Sequence, residues 1–535
     1  MSRTEPAGTP LGDQFHLYDT TLRDGAQREG IAYSVADKLA VARLLDELGV
    51  GFIEGGWPGA LPKDTEFFAR AASGELSLRH AVLVAFGATR RAGLAVAEDP
   101  QVRALLDSQA PVVTLVAKSD VRHIERALRV DVAEACAMVR DTVSFLAGEG
   151  RRVFVDAEHF FDGYAHDPDT ALRVLDAAGS AGADVVVLCD TNGGRLPLGV
   201  ADTVREVAER TGLRLGIHCQ DDTACAVANS VAAVQAGVTH VQCTANGYGE
   251  RAGNADLFAV AGNLAAKLGM PVLPEGRAAE LTRTAHAIAE IANIAPDPHQ
   301  AYVGSSAFAH KAGLHASAIK VDPLLYNHID PGVVGNDMRV LVTEMAGRAS
   351  LELKGAQLGM DLAGRPEVLN SALKKVKALE AEGWSFEAAD ASLELLLRSE
   401  ADGAPADSPF LLESYRVVLD HRSGGDVVSE ATVKVRVGGE RVIATAEGNG
   451  PVHALDAALR QALRGHLSWL DSVELADYKV RILSSTPGTD AVTRVLVESR
   501  DGERTWTTVG VHPNIVEASW LALCDALVHK SQRQR

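Results

Sequence analysis

The feature that most constrains the fold is a repeated alternation of short apolar segments with amphipathic helical segments between Phe15 and Gly269. The apolar segments predict eight strands, near residues 16–21, 51–55, 81–86, 112–117, 152–157, 184–189, 214–219 and 240–244. Eight strands, each followed by a helix, predict a (β/α)8 TIM barrel. A doubly wound sheet is the alternative, but it normally has fewer units and a glycine-rich turn after its first strand, where this chain is charged.

Polar residues follow the predicted strands at the end where barrel enzymes place their active sites. The first strand leads directly into Arg23 and Asp24. An Arg beside an Asp suits a cation together with an anionic substrate, because the carboxylate binds the cation and the guanidinium holds a second carboxylate through two hydrogen bonds. A surface ion pair in a loop is the alternative. The other polar residues are Glu54, Glu158, Asp190, Thr191, His218 and the stretch 246–254.

Composition limits the classes of protein that fit. With 47% hydrophobic and 23% charged residues, the chain is typical of soluble globular proteins, and 535 residues predict several domains. A net charge of -19 disfavours binding to nucleic acid or to an anionic membrane. No apolar run reaches the roughly 18 residues of a membrane span, and the N-terminus lacks the apolar core of a signal peptide. Six cysteines without CxxC spacing predict reduced thiols and a cytoplasmic protein.

Changes in pattern divide the chain into four predicted parts. A disordered N-terminus, residues 1–14, precedes the TIM-barrel catalytic domain, residues 15–272. Helical linker subdomains interrupted by prolines follow at residues 273–400, and a break rich in Gly, Ala, Pro and Asp ends them. Residues 408–530 contain two successive βββα patterns, which predict an internally duplicated α+β domain. Periodicity alone marks this domain as accessory or dimerising.

Several motifs are similar to those of the metal-dependent acyl-CoA condensing enzymes, which include the 2-isopropylmalate, homocitrate and citramalate synthases. The most specific is DTTLRDGAQREG at residues 19–30. Motifs at residues 52–59, 156–164, 188–194 and 246–254 look most like the citramalate synthase branch. Residues 447–452 and 509–519 resemble the regulatory domain of the same synthases.

This resemblance implies an acyltransferase that performs a Claisen condensation of acetyl-CoA with pyruvate or a related small 2-oxo acid. Hydrolysis of the thioester would then give CoA and a 2-alkylmalate such as citramalate. The resemblance also implies a homodimer, and it makes an amino acid such as isoleucine or leucine a candidate effector at the C-terminal domain. A specialised-pathway homologue with a changed acceptor or acyl donor is one alternative, and a catalytically silent effector-binding homologue is another.

The metal ligands of the family map onto Asp24, His218 and Asn254, with Gln220 where the family has a second histidine. Residues two apart on a strand share a face, so Gln220 keeps the direction of His218. An amide oxygen is a harder and weaker donor than imidazole, so we expect weakened binding of a divalent cation and a preference for Mg or Mn over Zn. Altered or lost metal chemistry is the alternative.

The resemblance implies roles for five further positions. Arg23 would stabilise the carbonyl oxygen or the carboxylate of the oxo acid. Thr191 would bind that carboxylate, with a plain helix cap as the alternative. Glu158 would position groups or transfer a proton, with simple ion pairing as the alternative. His315 and Tyr326 match the pair that activates acetyl-CoA or water, and because they lie outside the barrel they would come from a neighbouring subunit.

Overall fold

The computed structural model describes residues 12–421, 427–483, 491–502 and 504–534. Eight parallel strands close into a barrel in sequence order, and the last strand pairs with the first, with His240 opposite His16. The strands are β1 His16–Asp19, β2 Phe52–Gly56, β3 Val82–Ala88, β4 Val112–Lys118, β5 Arg152–Glu158, β6 Val185–Asp190, β7 Leu215–Cys219 and β8 His240–Cys243. The predicted TIM barrel is confirmed, and each strand begins and ends within two residues of its predicted position.

Helices surround the barrel, and capping residues determine where they begin and end. Ser34 begins the first helix with a capping box, in which its side chain and that of Asp37 bond each other's backbone N–H groups. Gly49 ends the same helix with φ of 98°, a conformation that glycine adopts without strain. The helices are α1 Val35–Leu48, α2 Pro62–Arg70, α3 Pro100–Asp107, α4 Val121–His123, α5 Val132–Gly148, α6 Phe160–His166, α7 Pro168–Ser180, α8 Pro197–Thr211, α9 Ala226–Gln235, α10 Leu257–Ala266 and α11 Leu281–Ile291.

The barrel has two apolar layers because successive strand residues point to opposite faces. Inside the cylinder, Tyr18, Phe52 and Phe154 pack with valines of three other strands. Outside it, the alternating residues, such as Leu17 and Ile53, pack against the surrounding helices. The packed interior leaves the ends of the strands as the place for chemistry.

A buried carboxylate ties α1 to the segment that precedes β3. Asp46 accepts hydrogen bonds from the backbone N–H groups of Arg79, His80 and Ala81 at 2.8 to 3.0 Å. Asp46→Ala is expected to lower the free energy of unfolding by about 2 to 4 kcal/mol, because it leaves three donors unsatisfied. Urea denaturation would measure the loss. Asp107→Ala, at an exposed position, should change stability by less than about 0.5 kcal/mol, and an equal effect of both variants would contradict the prediction.

Of the described residues, those in 12–308 and 329–337 form the first compact unit, and those in 309–328 and 338–534 form the second. The predicted linker, residues 273–400, is thus divided between the two. The predicted disordered start, residues 1–14, falls outside the described residues except for Gly12–Gln14, which form a 3-10 turn. No helix in the described ranges is both long and apolar enough to cross a membrane.

The second unit contains helices followed by the duplicated α+β domain that the sequence predicts. One antiparallel sheet has the order β11 (Phe410–His421), β12 (Val427–Val437), β13 (Glu440–Gly448), and the other has the order β14 (Glu474–Ile482), β15 (Thr493–Arg500), β16 (Thr505–His512). One helix follows each sheet. On β12, the alternating Val433 and Val435 are buried together with Leu455 and Leu459 of the following helix. The elements are β9 Ala309–His310, α12 Gly313–Ile319, β10 Arg339–Val340, α13 Arg348–Gln357, α14 Pro366–Ala381, α15 Asp390–Asp402, β11 Phe410–His421, β12 Val427–Val437, β13 Glu440–Gly448, α16 Pro451–Leu463, β14 Glu474–Ile482, β15 Thr493–Arg500, β16 Thr505–His512 and α17 Ile515–Arg533.

Candidate active site

A cavity of about 690 Å³ opens at the carboxyl end of the barrel strands. Arg23 and Asp24, from the turn after β1, lie on its wall with His218 and Gln220 from the end of β7. Glu158, the last residue of β5, and Thr191, the first residue after β6, line the same cavity. The structure therefore brings six of the predicted site residues to one end of the barrel.

Arg23 is held in place by contacts on two sides. Its Nε donates to the carboxylate of Glu54 at 2.6 Å, and its guanidinium lies 4.0 Å from the centre of the Phe86 ring. Glu54 is fully buried and also accepts from the hydroxyls of Tyr18 and Thr20, both at 2.5 Å. Burial would lower the pKa of Arg23, but the nearby carboxylates raise it above its usual value. The guanidinium is thus a fixed, permanent cation.

Asp24 and His218 form a buried pair beside this cation. Nε2 of His218 lies 3.2 Å from Oδ2 of Asp24, and both side chains are less than a tenth exposed. Burial would raise the pKa of Asp24, but the charge of Arg23 and the hydrogen bond to His218 hold it well below its usual range. Burial would lower the pKa of His218, but Asp24 raises it. Asp24 is therefore a carboxylate anion at neutral pH.

Two amide oxygens next to this pair have no hydrogen-bond partner within the described parts of the chain. They are Oε1 of Gln220 and Oδ1 of Asn254, both buried. The amide nitrogen of Gln220 donates to Oδ2 of Asp24 at 3.3 Å, and that of Asn254 donates to the carbonyl of Tyr248 at 2.9 Å. A bridge between the backbones of Gln220 and Asn254 joins the two positions. Buried carbonyl oxygens without partners call for an explanation, and a bound cation is one.

The donor set fits a hard divalent cation. One carboxylate, two amide oxygens and one imidazole nitrogen are ligands that suit Mg or Mn better than Zn, which favours histidine and cysteine. No group of three or more His, Cys, Asp or Glu side chains is arranged for a metal in the described ranges. Of the four candidate ligands, only Asp24 and His218 are of these residue types, because Gln220 and Asn254 would bind through amide oxygens.

Glu158 and Thr191 have partners of their own. The carboxylate of Glu158 forms an ion pair with Lys118 at the end of β4. Oγ1 of Thr191 accepts from the backbone N–H of His159 at 2.8 Å, which leaves its hydroxyl proton for another acceptor. Thr191 is not a helix cap, because the N-cap of α8 is Leu196. Both residues keep access to the cavity that they line.

His315 and Tyr326 lie together in the second unit. Their ring centroids are 4.1 Å apart and the rings are inclined by 28°, which is a stacked arrangement. His315 belongs to α12, and Tyr326 follows a 3-10 turn, Pro323–Leu325. The two side chains are therefore in contact, within the second unit.

Three buried residues of the site received no role from sequence reasoning. Glu54 holds Arg23, while Gln242 lies between His218 and Asp156, at 2.8 Å from each. Burial, and then the charge of Glu54, raise the pKa of Asp156 to about 7. The sequence places Glu54 at this end of the barrel without a role, and the signal that could have found Asp156 and Gln242 is a polar residue inside an otherwise apolar barrel strand.

Comparisons with known proteins agree with this architecture. The sequence matches the HMGL-like family over residues 14–291, the homocitrate synthase post-HMGL domain-like family over residues 302–383 and the LeuA allosteric (dimerisation) domain over residues 387–530. It is 61% identical to an (R)-citramalate synthase of Streptomyces coelicolor over 98% of both chains. It is 45% identical to an (R)-citramalate synthase of Aquifex aeolicus, over 97% of this chain and 98% of the relative. It is 31% identical to a 2-isopropylmalate synthase of Carboxydothermus hydrogenoformans, over 95% and 96% respectively. The chain therefore belongs to the HMGL-like family and, within it, to the citramalate synthases.

Proposed function

We propose that this chain condenses acetyl-CoA with pyruvate and hydrolyses the thioester product, giving (R)-citramalate and free CoA. Full-length identity to (R)-citramalate synthases supports the substrates and the product. The observation that carries the proposal is the grouping of Arg23, Asp24 and His218 at the mouth of the barrel, where a cation and a keto acid can be bound side by side.

Arg23 binds and orients the keto acid in this proposal. Glu54 binds the Nε of Arg23, and the Phe86 ring covers one face of the guanidinium. The other N–H groups of the guanidinium are therefore available to the carboxylate or the carbonyl oxygen of the substrate. The hydroxyl of Thr191, which lines the same cavity, donates to the same carboxylate. Because the guanidinium is preorganised, little reorganisation is needed as negative charge develops on the carbonyl oxygen.

Asp24, His218, Gln220 and Asn254 are the residues that would hold a divalent cation, Mg or Mn. When bound, such a cation polarises the keto carbonyl as a Lewis acid. Asp24 supplies the anionic charge that offsets the cation, and Oε1 of Gln220 and Oδ1 of Asn254 gain the partner that they lack among the described residues.

Proton transfer in this proposal is assigned to His315 and Glu158. We assign His315, supported by its stacking on Tyr326, to the activation of acetyl-CoA or of the water that attacks the thioester. Glu158 would assist after release of its ion pair with Lys118. The match to the LeuA domain supports a homodimer, in which a neighbouring subunit would supply His315. It also supports an amino acid such as isoleucine or leucine as an effector that binds at the C-terminal domain.

Six free cysteines fit a cytoplasmic enzyme.

Release of free CoA thiol tests the reaction. Purified protein with acetyl-CoA, pyruvate and Mn or Mg should release thiol that a disulfide reagent detects, and chiral chromatography should identify (R)-citramalate. A homologue with a changed acceptor is the second candidate function, because Gln220 stands where the family has a histidine. A panel of 2-oxo acids with larger side chains would detect such a change. Absence of thiol with every 2-oxo acid and every divalent cation would contradict the proposal and favour the silent effector-binding alternative.

Gln220→His is expected to strengthen binding of divalent cations by about tenfold, because imidazole is a better donor than an amide oxygen. The gain should be larger for Zn than for Mg. Isothermal titration of the metal-free protein would measure the affinities. Gln235→His, at the exposed end of α9, should leave them unchanged, and no gain at position 220 would show that Gln220 is not a ligand.

A further inference from the structure

Gln242 occupies a position from which it can control the orientation of His218. The register of β7 and β8 places Gln242 directly beside His218 on the neighbouring strand. Its Oε1 lies 2.8 Å from Nδ1 of His218, and its Nε2 lies 2.8 Å from Oδ1 of Asp156. Gln242 is 1% exposed and Asp156 is 4% exposed, so the chain of hydrogen bonds is shielded from water.

The direction of these hydrogen bonds determines which nitrogen of His218 carries a proton. The amide nitrogen of Gln242 donates to the carboxyl oxygen of Asp156, so its carbonyl oxygen faces His218. A carbonyl oxygen only accepts, and Nδ1 of His218 must therefore carry a proton. Because Nδ1 is occupied by this hydrogen bond, Nε2, the atom that lies 3.2 Å from the carboxylate of Asp24, is the ring nitrogen that faces the proposed cation site.

We propose that Gln242, supported by Asp156, is a positioning residue that fixes the ring and the tautomer of His218 so that Nε2 is ready to bind the divalent cation. Outer groups of this kind raise ligand basicity and restrict ring rotation. The inference deepens the proposed function and rests on it, because it assumes that His218 binds the cation.

Two variants at position 242 separate the role of the acceptor from that of packing. Gln242→Met keeps the length of the side chain but removes the acceptor, and the dissociation constant for Mn²⁺ is expected to rise about 10-fold to 100-fold. Gln242→Glu combined with Asp156→Asn conserves the net charge and keeps an oxygen that accepts from Nδ1 of His218, while the new amide of residue 156 donates to the new carboxylate, so this double variant should stay within about threefold of the native value. Isothermal titration of metal-free full-length protein with MnCl2 measures both, without any dependence on turnover.

Controls keep the inference distinguishable from the proposed function. Gln235→Met makes the same chemical change at an exposed position and should not alter Mn²⁺ binding. If the native protein binds no Mn²⁺, the proposed function fails at its metal site and this inference falls with it. If the native protein and Gln242→Met bind Mn²⁺ equally, only this inference is overturned.

Asp156→Leu provides a second test that does not depend on the folding of Gln242→Met. It removes the acceptor behind Gln242, and the amide is then free to turn away from His218. Mn²⁺ affinity is expected to fall about threefold to tenfold, while Asp156→Asn, which keeps an accepting oxygen, should retain the native affinity. Thermal unfolding of each variant shows whether the barrel is intact. Unchanged affinity in a folded Asp156→Leu protein would overturn the proposal.

Discussion

Arg23→Lys is expected to lower kcat/KM for pyruvate by about 10³-fold, although it conserves the charge. Lysine has a single nitrogen at its end, and the carboxylate of Glu54 would bind it, since Glu54 is fully buried and already accepts from Arg23 at 2.6 Å. The remaining N–H groups of that nitrogen would stay beside Glu54, without the planar pair of donors that the guanidinium offers to the keto acid. Steady-state kinetics with varied pyruvate at saturating acetyl-CoA and Mn²⁺ would measure the loss.

The same kinetics separate a binding defect from a structural one. The KM for acetyl-CoA and the unfolding temperature should change little in Arg23→Lys, because Tyr18 and Thr20 still bond Glu54. Arg43→Lys, an identical change at an exposed position of α1, should leave all constants unchanged. A kcat/KM for pyruvate within tenfold of the native value would show that Arg23 does not hold the keto acid.

The sequence was sufficient for the barrel because one physical pattern fixes it. Strands buried on both faces are apolar throughout, so segments such as residues 112–117 and 184–189 stand out and their ends fall close to the observed β4 and β6. The duplicated C-terminal domain was predicted for a similar reason, since alternation on β12 is strict. The division of residues 273–400 between two units was not predictable, because it depends on packing between segments distant in the chain.

The candidate site was predictable only in part. Asp24, His218 and Gln220 come together as expected, because parallel strands of a barrel end at one rim. The roles of the partners that fix the site were missed: Glu54 contacts Arg23, 31 residues away, and Gln242 contacts His218, 24 residues away on the neighbouring strand. Periodicity shows which face such a residue occupies, but not which polar group it meets across the barrel.

Asp24→Asn is expected to weaken Mn²⁺ binding by at least about 100-fold and to lower kcat by about 10³-fold. The pKa of Asp24 lies well below its usual range, so the native side chain is anionic at every working pH, and the substitution removes a full charge with almost no change in shape. It also replaces the carboxylate oxygen that the amide of Gln220 and Nε2 of His218 both contact with a group of a neutral amide.

A matched variant at the other end of the barrel isolates the effect of position. Asp13→Asn removes the same charge at the amino end of the strands, where Asp13 pairs with Arg152, and it should leave Mn²⁺ affinity and kcat unchanged. Excess Mn²⁺ should restore Asp24→Asn only partly, because a neutral ligand offsets less of the charge of the cation even when the site is filled. Native Mn²⁺ affinity in Asp24→Asn would mean that the cation, if one binds, is held elsewhere, and the proposed chemistry at this rim would have to be abandoned.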